Sequence, residues 1–284
     1  MKTKLSLLMT FLSCFKIVIS QSPMSIDDYK ILGESQYVVV YEMSYLKDIS
    51  KPDRIYHDEI ILEISGEYSK SYSYKMFHYD STYTDSNKKG AHNYPSPKSS
   101  AFPVDVVKNY KENDMTVYHR APSDGPIFEY EESMNLFDWK MTSEMMEILG
   151  YSCFRATCDF RGRKWNAWFT MDIPLQEGPW KFNGLPGLIL KIEDENGDYM
   201  FDCIRINNEK RPILLYDYMY EKSSYEEVAG FMQDAHNDFN AYNKRINPKG
   251  SMSIAKRDEV TGKVTFREVG ANEVVPKPYN PIEK

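Results

Sequence analysis

The sequence predicts a mainly β protein: a curved antiparallel sheet or open half-barrel, with one long helix from the C-terminal half packed on it. Three observations point there. The 284 residues include 22 Tyr, 14 Phe and 4 Trp, and wide amphipathic rings of this kind favour pleated, half-buried surfaces. Apolar residues alternate with polar ones in segment after segment, the period of a strand with one wet face. Arg161-Gly162-Arg163 and Glu195-Asn196-Gly197-Asp198 carry the chemistry of tight hairpin turns between such segments. A hydrophobic content of 42% against 27% charged residues is enough for a buried core.

In chain order, residues 1–20 read as a secretory signal peptide. Lys2 and Lys4 precede the apolar run Leu5 to Phe15, and Ser20 offers a cleavage point. The run is too short to span a bilayer. Cys14, behind Phe11-Leu12-Ser13, offers lipidation as the alternative to cleavage near Ser20. Export to the periplasm or the outer membrane is the expected localisation. Residues 21–250 form a single β-rich domain, and 251–284 a C-terminal tail with a small hairpin about Thr261-Gly262-Lys263. No segment of the mature chain is apolar and long enough to cross a membrane.

Tyr37 to Tyr45 and Glu59 to Ile64 alternate as strands, and Gly66 stops the second. Residues 67–100, rich in Ser, Tyr, Lys and Asn with Gly90, Pro95 and Pro97, predict an exposed loop. Strand signals return at Thr116 to His119, Ile127 to Glu131, Leu136 to Met141, Tyr151 to Phe160, Lys164 to Thr170, Leu188 to Glu193 and Tyr199 to Asn207. One helix, Tyr225 to Ile246, opens on Ser224 with Glu227 three residues later and stops at Asn247-Pro248. Its Val228, Phe231, Met232, Ala235, Phe239 and Tyr242 share a face.

Loss of residues 1–20 removes three Lys and no acid, so 42 acidic residues face 32 basic ones, a net charge of about −10. That excludes nucleic acid as a natural partner, and anionic headgroups with it. The mature cysteines, Cys153, Cys158 and Cys203, are odd in number. Along one strand Cys153 and Cys158 stand ~16 Å apart on opposite faces, too far to bridge. Cys158 therefore reads as a small core residue, with Cys203 its alternative partner. His57, His78, His92, His119 and His236 show no ligand spacing, and neither a metal nor a cofactor is expected.

The segment with most to explain is Lys181-Phe182-Asn183-Gly184-Leu185-Pro186-Gly187-Leu188-Ile189-Leu190. Pro186-Gly187 suits a type II turn with glycine at positive φ, and Gly184 adds a second place for close backbone approach. Left in water, Leu185, Leu188 and Ile189 would cost ~5 kcal/mol. The corner must be sheltered by Trp165, Trp168 and Phe169 of the neighbouring strand with Trp180 and Phe182, or by a ligand. Phe160 to Asp194 resembles the signature of the GLPGLI family of secreted envelope proteins, named for Gly184 to Ile189 as they stand here. Gly150-Tyr151-Ser152-Cys153 and Tyr279-Asn280-Pro281-Ile282-Glu283 support the likeness. It implies an extracytoplasmic protein of GLPGLI type and no particular reaction. A weaker likeness, at the level of fold, is to the open-barrel sheet of periplasmic lipoprotein carriers.

Catalytic signatures Gly-x-Ser-x-Gly, His-Glu-x-x-His and Gly-x-x-x-x-Gly-Lys are absent from the sequence. The expectation is a noncatalytic envelope protein that receives an apolar ligand or a protein partner against Trp165, Trp168, Phe169, Trp180, Phe182, Leu185 and Leu188. The alternative is a secreted hydrolase using carboxylates among Asp172, Glu177, Glu193 and Asp194. Arg161 and Arg163 are expected to solvate their hairpin tip.

Overall fold

A computed structural model describes residues 22–91, 101–257 and 264–284 of the protein. The leader with Cys14, His92, Pro95, Pro97 and the turn Thr261 to Lys263 lie outside the described residues. The strands are β1 (Tyr29–Glu34), β2 (Tyr37–Leu46), β3 (Ile55–Ile64), β4 (Tyr68–Ser73), β5 (Val104–Asn109), β6 (Asp114–Arg120), β7 (Ile127–Ser133) and β8 (Lys140–Ile148). They continue as β9 (Tyr151–Phe160), β10 (Arg163–Thr170), β11 (Leu188–Asp194), β12 (Tyr199–Asn207), β13 (Pro212–Tyr216), β14 (Tyr220–Lys222), β15 (Ser253–Arg257) and β16 (Val264–Glu268). Among the described residues three helices accompany them: α1 (Tyr74–Lys88), α2 (Tyr225–Asn237) and α3 (Phe239–Ile246).

Twelve strands make one sheet in the order β14-β7-β6-β5-β4-β3-β2-β12-β11-β10-β9-β8, while β1 pairs with β13 and β15 with β16. All pairs are antiparallel except β14 with β7. The sheet is open, with β14 and β8 at its edges. It is also bent. Arg161, in the β9–β10 turn, forms an ion pair with Glu132 of β7, although β7 and β10 stand eight steps apart in the strand order. Flat strands spaced at ~4.8 Å would hold them ~38 Å apart.

Period two sets the inner face. Val39, Tyr41, Met43 and Tyr45 of β2 join Ile60, Leu62 and Ile64 of β3 in the main core, while Val38 and Val40 of β2 and Ile61 of β3 form a separate cluster on the outer face. The Arg161-Gly162 turn has both residues at positive φ, 41° and 74°, the geometry that matches strand twist in a two-residue hairpin.

Four expectations are corrected. The helix expected over Tyr225 to Ile246 is two helices. Its capping box, Ser224 with Glu227, is present, but Asp238 interrupts the run and caps α3 by accepting from the N–H groups of Asn240 and Ala241, both at 3.1 Å. A carboxylate that short competes for the backbone of the next turn and restarts the helix. The loop expected over residues 67–100 instead contains β4 and α1. Polar side chains hid them: β4 buries Ser69, Lys70, Ser71 and Ser73, and α1 buries Met76, Asp80 and Thr84. Asp80 is satisfied by Arg120, by the Tyr218 hydroxyl at 3.0 Å and by the Met24 N–H at 2.9 Å. The strand expected at Leu136 to Met141 starts only at Lys140, because Phe137 and Trp139 pack on each other outside the ladder, with centroids 5.5 Å apart. Finally, the C-terminal segment is no loose tail. The Tyr199 hydroxyl donates to Asn280 O at 2.7 Å, and Asn280 donates to Leu46 O at 2.8 Å. Among the described residues no helix is long and apolar enough to cross a membrane.

Candidate functional site

The Gly-Leu-Pro-Gly corner closes the loop of residues 171–187 between β10 and β11. Trp165 and Phe169 point inward from β10 and are buried, as are Trp180, Phe182, Leu185 and Leu188; Trp168 is half-buried on the opposite face. Trp165 meets Phe182 edge-on at 4.7 Å and Trp180 meets it at 5.0 Å, a packing that suits aromatic quadrupoles. The oily corner is thus sheltered by the chain itself, and Gly184 and Pro186 alone reach the surface.

The turn differs from the type II geometry expected. Gly187 does not have positive φ; Gly184 does, at 89°. What Gly187 supplies is room, since a Cβ there would stand 2.0 Å from Thr170 O. Trp180 also adopts a left-handed backbone, φ 54°, with its N–H on Ser71 Oγ at 2.9 Å.

Buried ions fasten this loop to the sheet. Lys108 Nζ of β5 donates to Glu177 Oε2 at 2.7 Å and to Phe182 O at 2.8 Å. Lys181 Nζ, fully buried, meets Glu283 at 2.8 Å and also Glu132. Arg161, expected to solvate a hairpin tip, pairs with Glu132 and Glu283 and lies 3.3 Å from the Tyr225 ring centroid. Arg163, likewise expected in solvent, is buried against Asp194 at 2.6 Å and Asp198 at 3.1 Å. The four candidate carboxylates do not converge: Glu177 belongs to Lys108, Asp194 to Arg163, Glu193 lies 3.4 Å from Lys191, and Asp172 is exposed.

Open space lies elsewhere. A cavity of about 150 Å³ sits between the inner face of the sheet, α2 and residues 278–283. Tyr45 of β2, Phe102, Val104 of β5, His119 of β6 and Tyr130 of β7 wall one side; Val228, Ala229, Met232 and His236 of α2 form the roof. None of the seven aromatic and leucine residues singled out in the sequence lines it, but all except Trp168 belong to the same core cluster as its walls. The segment 278–283 closes the end: Tyr279 stacks on His236 at 4.1 Å, and Asn280 and Pro281 O accept from Arg163, both at 2.7 Å.

Burial opposes the charging of His236, Lys47 and His119 around this cavity, while Glu283, also in its lining, is ion-paired to Lys181 and Arg161. His236 lies below its ordinary value, with Nδ1 2.7 Å from Met232 O. Lys47 is lowered to about 8 by burial and sits 4.9 Å over the Tyr56 ring. Burial, with the Lys181 charge, brings His119 down to about 3. Because the unfolded chain takes up that proton near 6.5 and the folded one only near 3, the contribution of neutral His119 is complete above pH 6.5 and is lost as pH falls toward 3. We expect the wild type to lose roughly 3 kcal/mol more stability than His119→Gln between pH 6.5 and pH 4, at one pKa unit per 1.36 kcal/mol. Urea melts across that range check it, and parallel slopes would refute it.

Sequence reasoning missed this cavity because its walls come from β2, β5, β6, β7, β12, α2 and residues 278–283, which are spread along the chain. The available signal was Tyr279-Asn280-Pro281-Ile282-Glu283, matched to a family pattern yet placed in a tail.

Residues 159–191 match a family described as "Protein of unknown function (Porph_ging)". That stretch contains the hairpin arginine Arg163, Trp165 and the whole Gly-Leu-Pro-Gly corner. No curated protein matches the chain. Two solved structures of PNGF-II, in different space groups, are similar at 16% and 15% identity over 79% and 80% of this chain, each with a TM-score of 0.46. The chain spans about a third of the length of those structures, 35% and 36%.

Proposed function

We propose that this is a noncatalytic, exported envelope protein that binds a small, uncharged, ring-sized apolar ligand in the cavity beneath α2. The observation that carries the proposal is the cavity itself: about 150 Å³, walled mostly by aromatic and aliphatic side chains, with two histidines whose charging burial opposes and with Lys47 and Glu283 also in the lining. An apolar space of that size accommodates a benzene ring in other proteins. Apolar pockets with a few placed polar groups are the usual form of a small-molecule site. The Trp165, Trp180 and Phe182 block supports the walls rather than touching the ligand. The dispersal of Asp172, Glu177, Glu193 and Asp194 favours binding over hydrolysis, and the leader with its resemblance to the GLPGLI family favours an extracytoplasmic setting, periplasmic or at the outer membrane.

Indole is a suitable probe, being neutral, apolar and close to the cavity in size. Titration calorimetry is expected to show saturable one-to-one binding, and Ala229→Phe, which places a ring inside the cavity from α2, to weaken it at least tenfold. Indole binding that is undetectable in the wild type, or unchanged in Ala229→Phe, would overturn the proposal.

A further inference from the structure

Among the described residues five cations are buried: Lys70, Lys108, Arg120, Arg163 and Lys181. Four have a carboxylate in contact, respectively Glu177 for Lys108, Asp80 for Arg120, Asp194 for Arg163 and Glu283 for Lys181. Lys70 is the exception, with no carboxylate in contact among the described residues. Its Nζ donates to Leu214 O at 2.7 Å and lies 4.8 Å over the rings of Tyr72 and Tyr216. Glu63 stands opposite it in the β3–β4 ladder but is taken by Arg211 Nε at 2.7 Å and by the Tyr72 hydroxyl at 3.2 Å. Asp105, on its other side, shares with it only a water-sized recess. Burying an ammonium with no carboxylate in contact is costly, and burial lowers the Lys70 pKa although the nearby Asp105 and Glu63 charges oppose that shift.

Lys70 also lines a groove of about 560 Å³ on the outer face of the sheet, on the opposite side from the first cavity. Val38, Val40 and Ile61 form the apolar floor, and Phe77 of α1 and Leu214 of β13 stand around it. We propose that this groove is a second binding site, for a small amphiphilic carboxylate whose headgroup meets Lys70 while its apolar body lies on Val38, Val40 and Ile61. Two of the three ammonium donors of Lys70 are left for that headgroup, and the two tyrosine rings fix the ammonium in place. At the mouth, Arg205 has no ion pair among the described residues, whereas Glu209 lies 3.9 Å from Arg211. Glu59 and Glu63 also line the groove, so its charge is mixed, and what marks the deep end for an anionic headgroup is Lys70, the buried cation with no carboxylate in contact among the described residues.

The test is calorimetry with octanoate and 1-octanol, which share a chain length and differ in the headgroup. Wild type is expected to bind octanoate saturably and at least tenfold more tightly than 1-octanol. Lys70→Met should abolish that preference, and Asn207→Trp, which narrows the mouth without touching Lys70, should weaken both. Ala229→Phe should leave octanoate binding intact. Equal affinity for the two probes, a preference retained in Lys70→Met, or octanoate affinity unchanged in Asn207→Trp would overturn the proposal. So would octanoate binding lost in Ala229→Phe, which would put the probe in the first cavity instead.

Discussion

Gly187→Ala is expected to abolish cooperative folding or to leave a chain that melts far below the wild type. The added Cβ would stand 2.0 Å from Thr170 O, 2.6 Å from Thr170 C and 3.1 Å from Met171 Cα. All three are backbone atoms, and Thr170 is registered against Leu188 in the β10–β11 pair. Neither side can retreat without breaking that pairing and the core beneath it, where Trp165, Phe169 and Leu188 are buried. Such overpacking belongs with the rare substitutions costing ~5 kcal/mol or more, a large share of a total that is usually 5–15 kcal/mol. Gly184→Ala separates space from conformation at the same corner. Its Cβ would meet nothing closer than Trp139 at 3.9 Å, but the residue has φ 89°, so strain alone should cost ~1–3 kcal/mol. Denaturant melts of the two variants give the ranking. Gly184→Ala as the more damaging of the pair would contradict the account of this turn.

That pair also marks what could and could not be read from the chain. The need to shelter Leu185, Leu188 and Ile189 follows from transfer free energy alone and is met. Which glycine serves the backbone and which serves the neighbour depends on a strand, β10, that meets the corner only after folding. The same division runs through the fold. β9 and β12 show a plain alternation, and their boundaries could be placed to the residue. β4 could not, because Ser69, Lys70, Ser71 and Ser73 are buried although polar, Ser71 accepting from the Trp180 N–H and Ser73 donating to Asp58. Local pattern reports which face of a segment is oily. It is silent on polar groups whose burial is repaid by partners far along the chain, such as Asp80 with Arg120 and Tyr218. The cavity beneath α2 is the extreme case, since a void is defined by elements that are remote in sequence. Its closing strap, residues 278–283, was legible only as a family pattern without a physical role.

Arg163→Met is the second substitution expected to have a large effect, through a different mechanism. The guanidinium is fully buried and joins two distant parts of the chain: Asp194 and Asp198 at the β11–β12 turn, and Asn280 and Pro281 O in the strap. Methionine preserves much of the volume but leaves the buried Asp194 carboxylate with the Tyr199 N–H, at 2.8 Å, as its remaining donor among the described residues. Breaking a buried pair from one side costs 3–5 kcal/mol because the other charge is stranded; for a domain of this size that corresponds to a fall in Tm of roughly 10 °C. Lys164→Met, one residue away, is the control. Lys164 contacts Glu195 at 2.9 Å with both side chains about half exposed, and removal of such a surface pair should change stability by less than ~1 kcal/mol. If both variants melt together, burial is not what gives Arg163 its weight. Because Arg163 also holds the strap that closes the first cavity, its loss should do more than lower Tm. At temperatures where Arg163→Met is still folded, indole should dissociate faster and the amides of residues 278–284 should exchange with deuterium sooner than in Lys164→Met, linking one buried charge to both the stability of the sheet and the closure of the cavity.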